Sequence, residues 1–379
     1  MNYVMLIGID ASRANDIQKT GVGNYAFFVI EEIKKLKIKD LRFVLYTREP
    51  LCGELAKLPE NWTVKVLRWA PKWLWTQVRL SWEMLWRAPD VLFVPAHVFP
   101  IIHPKKTVMT IHDVAALKFP ESYGWFERWY SVWSARYAVR KLWRVIAPSE
   151  SVRRELIENF KMQNAECKIS VVKHGFDRRY EMRDSGDKEI NRDSEIVRKY
   201  NIEKPYLLSI GRLEEKKNTV RIIQAFEKVR SSLITDHLSL VLVGKPGHGY
   251  SKVKEAIQNS QFKNDIITPG WVSEDDLPAL TRGASVFVFP SLAEGFGMPI
   301  LEAMAAGAPV VTSVSLKEVG GDACVYVDPM SVEEIVGGIV SVLGNVEYRM
   351  LNVGKGFERV KEFSWEKCAR ETMDVLCDC

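Results

Sequence analysis

Residues 286–311 read VFVFPSLAEGFGMPILEAMAAGAPVV, and the fold is decided here. Val286–Phe289 is a short apolar run of strand length that ends at Pro290-Ser291. A turn containing Gly295 and Gly297 follows, and a helix is expected to begin at about Met298. The two glycines let backbone N–H groups approach a ligand closely, at the positive end of the helix dipole. Glu294 sits in the turn and Glu302 eight residues on, about two helical turns beyond, so both carboxylates are expected to face one ligand. Carboxylates accept paired hydrogen bonds from sugar hydroxyls. The bland alternative is a Gly-rich turn with two solvated glutamates; spacing, strand and helix together argue against it.

The same alternation recurs outward from this stretch. Short β-branched runs stand at Val4–Ile9, Arg42–Tyr46, Val64–Leu67, Val91–Val94, Val108–Ile111, Val145–Ala147 and Ile169–Val171, with longer amphipathic segments between them. Tyr25–Leu36 is one of those segments, with Phe28, Ile33 and Leu36 at helical spacing. Glu181–Tyr200 is charged and poor in apolar residues, as suits a linker or a surface helix. The pattern then restarts at Tyr206–Ile210, Leu238–Val243, Ile266–Thr268, Val286–Phe289, Pro309–Thr312 and Cys324–Val327. Two tandem, Rossmann-like, doubly wound α/β domains are expected, residues 1–178 and 179–363, neither repeating the other in sequence. Ligands of such sheets bind beyond the carboxyl ends of the strands.

Composition agrees. At roughly 150 residues per domain, 379 residues suggest two or three domains. Apolar residues at 47% and charged residues at 27% describe a soluble globular chain and exclude disorder, collagen and coiled coil. The longest stretches free of Asp, Glu, Lys and Arg, Val91–Pro104 and Ala303–Leu316, run 14 residues. A membrane-spanning helix needs about 20. The amino terminus lacks a basic leader and Asp10 interrupts its apolar run, so no signal peptide is expected. The expectation is a cytoplasmic protein that can still touch the inner face of the plasma membrane. Cys52, Cys167, Cys324 and Cys368 are isolated and only Cys377 and Cys379 are close, so reduced, mostly packing cysteines are expected. Residues 1–180 hold 29 Lys and Arg against 18 Asp and Glu, whereas the remainder holds 24 against 30. Ten of the 12 Trp lie at or before Trp143, so the basic, Trp-rich half is expected to meet something anionic or interfacial.

Further candidate residues follow strands. Gly211-Arg212-Leu213-Glu214-Glu215-Lys216-Lys217-Asn218 comes straight after the run that begins at Tyr206. Arg212 offers a planar fork and Lys217 a point charge, both suited to phosphate oxygens. His112, beside Asp113, ends the Val108–Ile111 run. No Asp-x-Asp pair stands at a strand end, and Asp275-Asp276 look like the start of a helix. A nucleotide base is expected near Gly270–Ser273, with Val272 packing on it.

The Glu-x7-Glu pattern inside EGFGMPILEAMAAGAPVV resembles the nucleotide-sugar motif of family 4 retaining glycosyltransferases with the GT-B fold. Gly211–Asn218 resembles the family's GR-x4-KN segment, Thr20–Tyr25 its amino-terminal Gly loop, and Ile111-His112-Asp113 its histidine loop. Phe363-Ser364-Trp365-Glu366 resembles the helix that crosses back to the first domain in this fold, here about 364–379, and the resemblance covers nearly the whole chain. It implies a cleft between two domains, with His112, Arg212, Lys217 and Glu294 as catalytic residues. It also implies donor contacts from Gly21, Val22, Gly23, Asn218, Val272, Gly295, Phe296, Gly297 and Glu302. His112 would hydrogen-bond the donor sugar, and no protein nucleophile would be required because the departing phosphate helps deprotonate the acceptor. No metal or other cofactor is implied. The co-substrate is a nucleoside-diphosphate sugar, with GDP-mannose as the leading choice by analogy to polysaccharide-building, mannosyltransferase-like members. The acceptor would be a glycan or a lipid-linked acceptor.

Two aromatic segments admit two readings. In Arg68–Arg87, Trp75, Val78, Trp82, Leu85 and Trp86 fall near one helical face, flanked by Lys72, Arg79 and Arg87. In Trp125–Trp143, Trp129, Tyr130, Trp133 and Tyr137 interleave with Arg128, Arg136, Arg140 and Lys141. They are either core helices with snorkelling basic residues or a surface for anionic lipid. Nucleic acid is not expected. Three rivals compete with sugar transfer. An NAD(P)-dependent oxidoreductase rests on Gly21–Ala26 matching G-x-G-x-x-A. The others are a non-catalytic sugar-nucleotide-binding protein, and a phosphorylase or epimerase on the same fold.

Overall fold

The computed structural model describes residues 4–38, 40–70, 74–162, 168–182, 187–232 and 237–378. Lys72, Cys167 and Cys379 lie outside the described residues. The chain divides into two compact units: Met1–Leu117, Gly124–Gly175 and Phe363–Cys379 form the first, and Lys118–Tyr123 with Phe176–Glu362 form the second.

The first unit is built on seven strands: β1 (Met5–Asp10), β2 (Leu41–Thr47), β3 (Trp62–Val66), β4 (Val91–Val94), β5 (Lys106–Thr110), β6 (Arg144–Ala147) and β7 (Ile169–Val171). They pair in parallel in the order β3-β2-β1-β4-β5-β6-β7. The second unit has six: β8 (Tyr206–Ile210), β9 (Ser239–Val243), β10 (Ile266–Gly270), β11 (Val286–Phe289), β12 (Val310–Ser313) and β13 (Cys324–Val327). Their order is β10-β9-β8-β11-β12-β13, again all parallel. Parallel sheets are covered by helices on both faces, so their strands read as continuous apolar runs. All residues of β4, β9 and β11 are buried accordingly. The winding reverses between β1 and β4 in one sheet and between β8 and β11 in the other, where loops diverge and a crevice opens.

Each expected strand is present, with ends shifted by at most two residues. The helix expected over Tyr25–Leu36 instead spans Gly21–Lys35, so the Gly loop is the first turn of that helix. Small residues permit this: a Cβ on Gly23 would lie 3.0 Å from the Arg13 carbonyl oxygen. Helix geometry leaves the first-turn N–H groups of Gly21, Val22 and Gly23 without intrahelical acceptors, whereas Asn24 N already donates to Thr20 O at 2.8 Å. The charged stretch after residue 180 contains the helix Asp187–Lys199, fastened by Arg282 to Asp193 at 2.6 Å. Asp276 does stand at the start of the helix Leu277–Gly283, but its carboxylate makes no cap. It accepts instead from Lys199 and from the Tyr200 hydroxyl, each at 2.7 Å. Cys324 and Cys368 are buried, while Cys52 is exposed. After Glu362 the chain returns to the first unit, where the helix Trp365–Cys377 packs on the helix Gly21–Lys35. Among the described residues, no helix is long and apolar enough to cross a membrane.

Candidate active site

In the second unit the candidate residues gather at the reversal point of the sheet. β8 and β11 are neighbours, with Leu207 opposite Val286. The segments that leave them are stitched together: Leu292 N donates to Lys216 O at 3.0 Å, and the Ser291 hydroxyl donates to the same oxygen at 3.1 Å. Asn218 sits in the left-handed region at φ +62°, which Asn tolerates better than most residues. Its side-chain amide donates to Pro290 O at 3.0 Å and Pro329 O at 2.6 Å. Asn218 therefore positions the two loops, both of its amide bonds going to main-chain carbonyls.

This stitching brings Lys217 and Glu294 into an ion pair, with the ammonium also 5.3 Å from the centre of the Phe289 ring. Arg212 stands at the rim, its side chain 66% exposed and its Nε 3.8 Å from the buried carboxylate of Glu214, which also lies 3.6 Å from Lys216. Three cations and two acids thus stand on the segments that leave β8 and β11. Gly297 has φ +93°, and a Cβ there would meet Leu316 at 2.6 Å, so the entry into the helix Met298–Ala305 requires glycine. Phe296, in the same turn, is buried.

Glu294 and Glu302 stand in different surroundings. The helix starts at Met298, as expected, so Glu302 is about one turn into it. The charges that act on Glu302 are Asp177, Arg179 and Glu274, none of which pairs with Glu294. Burial above all, with Asp177 and Glu274 adding to it and Arg179 opposing, pushes the Glu302 carboxyl up to about 8. Arg179 itself spans Asp177 at 2.5 Å, Asp275 at 2.7 Å and Glu274 at 3.5 Å. After β10 the Val272 side chain is buried, and the exposed ring is that of Trp271, with Lys245 Nζ 5.9 Å from the ring centre.

The first unit carries a separate cluster. His112 follows β5 and is buried, with Nε2 3.0 Å from Pro95 O. A carbonyl only accepts, so Nε2 carries the proton and Nδ1 is left as an acceptor. Burial lowers the ring's pKa to about 3, His97 adding to the shift, so His112 is neutral at physiological pH. Tyr25 meets His112 edge-on at 4.7 Å and lies 4.5 Å from His174, which stacks on Trp365 at 5.7 Å. The Tyr25 hydroxyl is 3.0 Å from that of Thr110. His174 was missed from sequence, yet it stands just beyond the end of β7, as His112 does beyond β5.

Residues 192–350 match the family model described as glycosyl transferases group 1, and residues 21–180 the one described as glycosyltransferase family 4. Over 183 residues the chain is 35% identical to O-antigen chain mannosyltransferase B of Escherichia coli, covering 48% of each. The chain spans about half the length of the curated relatives it matches. Among solved structures, WaaG, a glycosyltransferase involved in lipopolysaccharide biosynthesis, aligns with TM-score 0.75 over 99% of this chain and 100% of that one, at 14% identity. Anabaena HepE in complex with UDP-glucose aligns with TM-score 0.73 over all of both chains, at 17% identity. Two all-parallel, doubly wound units with a carboxyl-terminal helix returned to the first define a GT-B protein. The chain belongs to glycosyltransferase family 4. The dinucleotide alternative finds no support: β1 ends at Asp10 and the glycine-bearing helix begins only at Gly21, too far on for a tight strand–turn–helix unit.

Proposed function

We propose that the protein transfers a hexose, mannose by preference, from a nucleoside-diphosphate sugar to a glycan or lipid-linked acceptor, with retention of anomeric configuration. The observation that carries this reading is the meeting of Lys217 and Glu294 at the β8–β11 reversal, with Arg212 at its rim. Breaking the sugar–phosphate bond leaves negative charge on the departing diphosphate, and fixed positive groups lower that barrier. Arg212 and Lys217 supply the charge in this reading without a metal ion, and Glu294 takes sugar hydroxyls. Gly295 and Gly297 let main-chain amides close on the phosphates. Glu302, one turn into its helix, has the buried carboxyl suited to a hydroxyl of the same donor. In the first unit, the Nδ1 acceptor of His112 and the first-turn amides of Gly21, Val22 and Gly23 are the groups offered to substrate. The preference for mannose rests on the likeness to the Escherichia coli O-antigen enzyme. A thermal-shift screen of GDP, UDP and ADP sugars tests the reading, since a ligand at a hundredfold its Kd stabilises the native state by about 2.7 kcal/mol. GDP-mannose should give the largest rise; a rise with NAD(P) and none with any nucleotide sugar would overturn the assignment.

In the same reading the enzyme works peripherally at the inner face of the plasma membrane. The aromatic segments are not uniformly core: Trp75 is buried and donates to Leu67 O at 2.7 Å, whereas Trp86 is 70% and Trp125 81% exposed. Trp82, Leu85, Phe126 and Trp129 are exposed beside them, as are Ile101 and Ile102, whose turn touches Ser81 through Ile102 N at 3.3 Å. Aromatic side chains at headgroup depth, on a half with an excess of basic residues, suit anionic lipid. The full chain should pellet with phosphatidylserine-containing vesicles at low salt and much less at high salt. Equal recovery in the supernatant with and without vesicles would refute the membrane surface.

A further inference from the structure

Lys217 and Glu294 are 77 positions apart in sequence and meet as a direct ion pair. Neither is a freely solvated surface group, with side chains 21% and 12% exposed. The loops that carry them are tied by the bonds from Leu292 and Ser291 to Lys216 O, so the pair is held in place by its backbone. In the donor reading the pyrophosphate needs Lys217 and the sugar hydroxyls need Glu294. In the structure these two groups neutralise each other.

We propose that the Lys217–Glu294 pair makes the site distinguish a nucleoside-diphosphate sugar from the bare nucleoside diphosphate, and so favours release of the spent nucleotide; the inference rests on the donor reading above. A diphosphate draws Lys217 toward itself and sets its own negative charge beside Glu294. A partly buried carboxylate that loses its counter-ion is strongly unfavourable. An attached hexose offsets this with hydroxyl donors to Glu294, and a bare diphosphate has none to offer. The sugar nucleotide gains from both halves of the exchange, the product from one.

Calorimetric titration of the full chain with GDP and GDP-mannose, and in parallel with UDP and UDP-glucose, tests the idea. Glu294→Gln keeps the shape and removes the charge. It should bind the bare diphosphate about tenfold more tightly than wild type, because no charge pair has to be separated, and the sugar nucleotide no more tightly. Glu294→Ala should show the same change of preference, and decides the matter if Glu294→Gln does not fold. Unchanged or weaker diphosphate binding in a folded variant overturns this discrimination while leaving the donor reading standing. Wild-type protein that binds neither nucleotide nor sugar nucleotide overturns the donor reading itself.

Discussion

Replacing Arg212 with alanine should depress turnover by about 10²–10³-fold, the effect of removing one preorganised group that stabilises developing negative charge. The melting temperature should be unchanged. Arg212 is two-thirds exposed, and its nearest acid, Glu214, is 3.8 Å away. Exposed pairs of that kind contribute about 0–1 kcal/mol. Lys217→Ala should lose turnover on the same scale but also lower stability, because Glu294 then keeps a partly buried charge with no partner. The contrast separates catalysis from folding: both variants fail kinetically, and only one melts early. Steady-state turnover with the donor found by the thermal-shift screen, read beside thermal melts, gives both numbers. Normal turnover of a folded Arg212→Ala protein would remove the guanidinium from the leaving-group site.

The strands and the β11 turn could be read from sequence because their signals are local. Val286–Phe289 is apolar throughout since both faces of its sheet are covered, and Gly297 is glycine since the backbone turns through positive φ there. What the sequence hides is which distant groups arrive beside each candidate. Asp177 and Arg179 come to Glu302 from more than a hundred positions away, and Pro290 and Pro329 occupy the Asn218 amide. Glu302 lies about one turn into its helix because the three positions after Glu294 are turn, and the sequence shows nothing of what packs around it there. Whether an aromatic stripe is core or surface depends on what packs over it, which periodicity alone does not reveal. Trp75 and Trp86 belong to one sequence pattern, and one is buried while the other faces solvent. His174 was accessible to the reasoning that found His112, since both stand beyond strand ends. Its importance comes from Tyr25 and Trp365 on either side, contributed by the two helices at opposite ends of the chain.

That pair of histidines should make the first unit acid-labile. Burial lowers the His112 pKa to about 3, and His174 also falls well below the usual histidine range through burial, with His112 adding to the shift. In the unfolded chain both return to about 6.5. Below that value the unfolded state binds protons that the folded state refuses, so stability is complete above about pH 6.5 and declines as pH falls toward the folded pKa. The slope is about 1.4 kcal/mol per pH unit for each histidine, so His112 alone removes roughly 2.7 kcal/mol by pH 4.5. Asp10 in the same unit works the other way: burial raises its carboxyl, so the folded state takes up that proton first and recovers part of the loss. Urea melts followed by circular dichroism at pH 7.5, 6 and 5 measure the net slope. His174→Phe keeps an aromatic ring between Tyr25 and Trp365 and cannot be protonated. It should match wild type within about 1 kcal/mol at pH 7.5, as shape-conserving swaps do, and exceed it by about 2 kcal/mol at pH 5. If wild type and His174→Phe lose stability in parallel from pH 7.5 to 5, the ring at position 174 is not the acid-sensitive element, and the helix Trp365–Cys377 is held to the first unit by packing that acid does not touch.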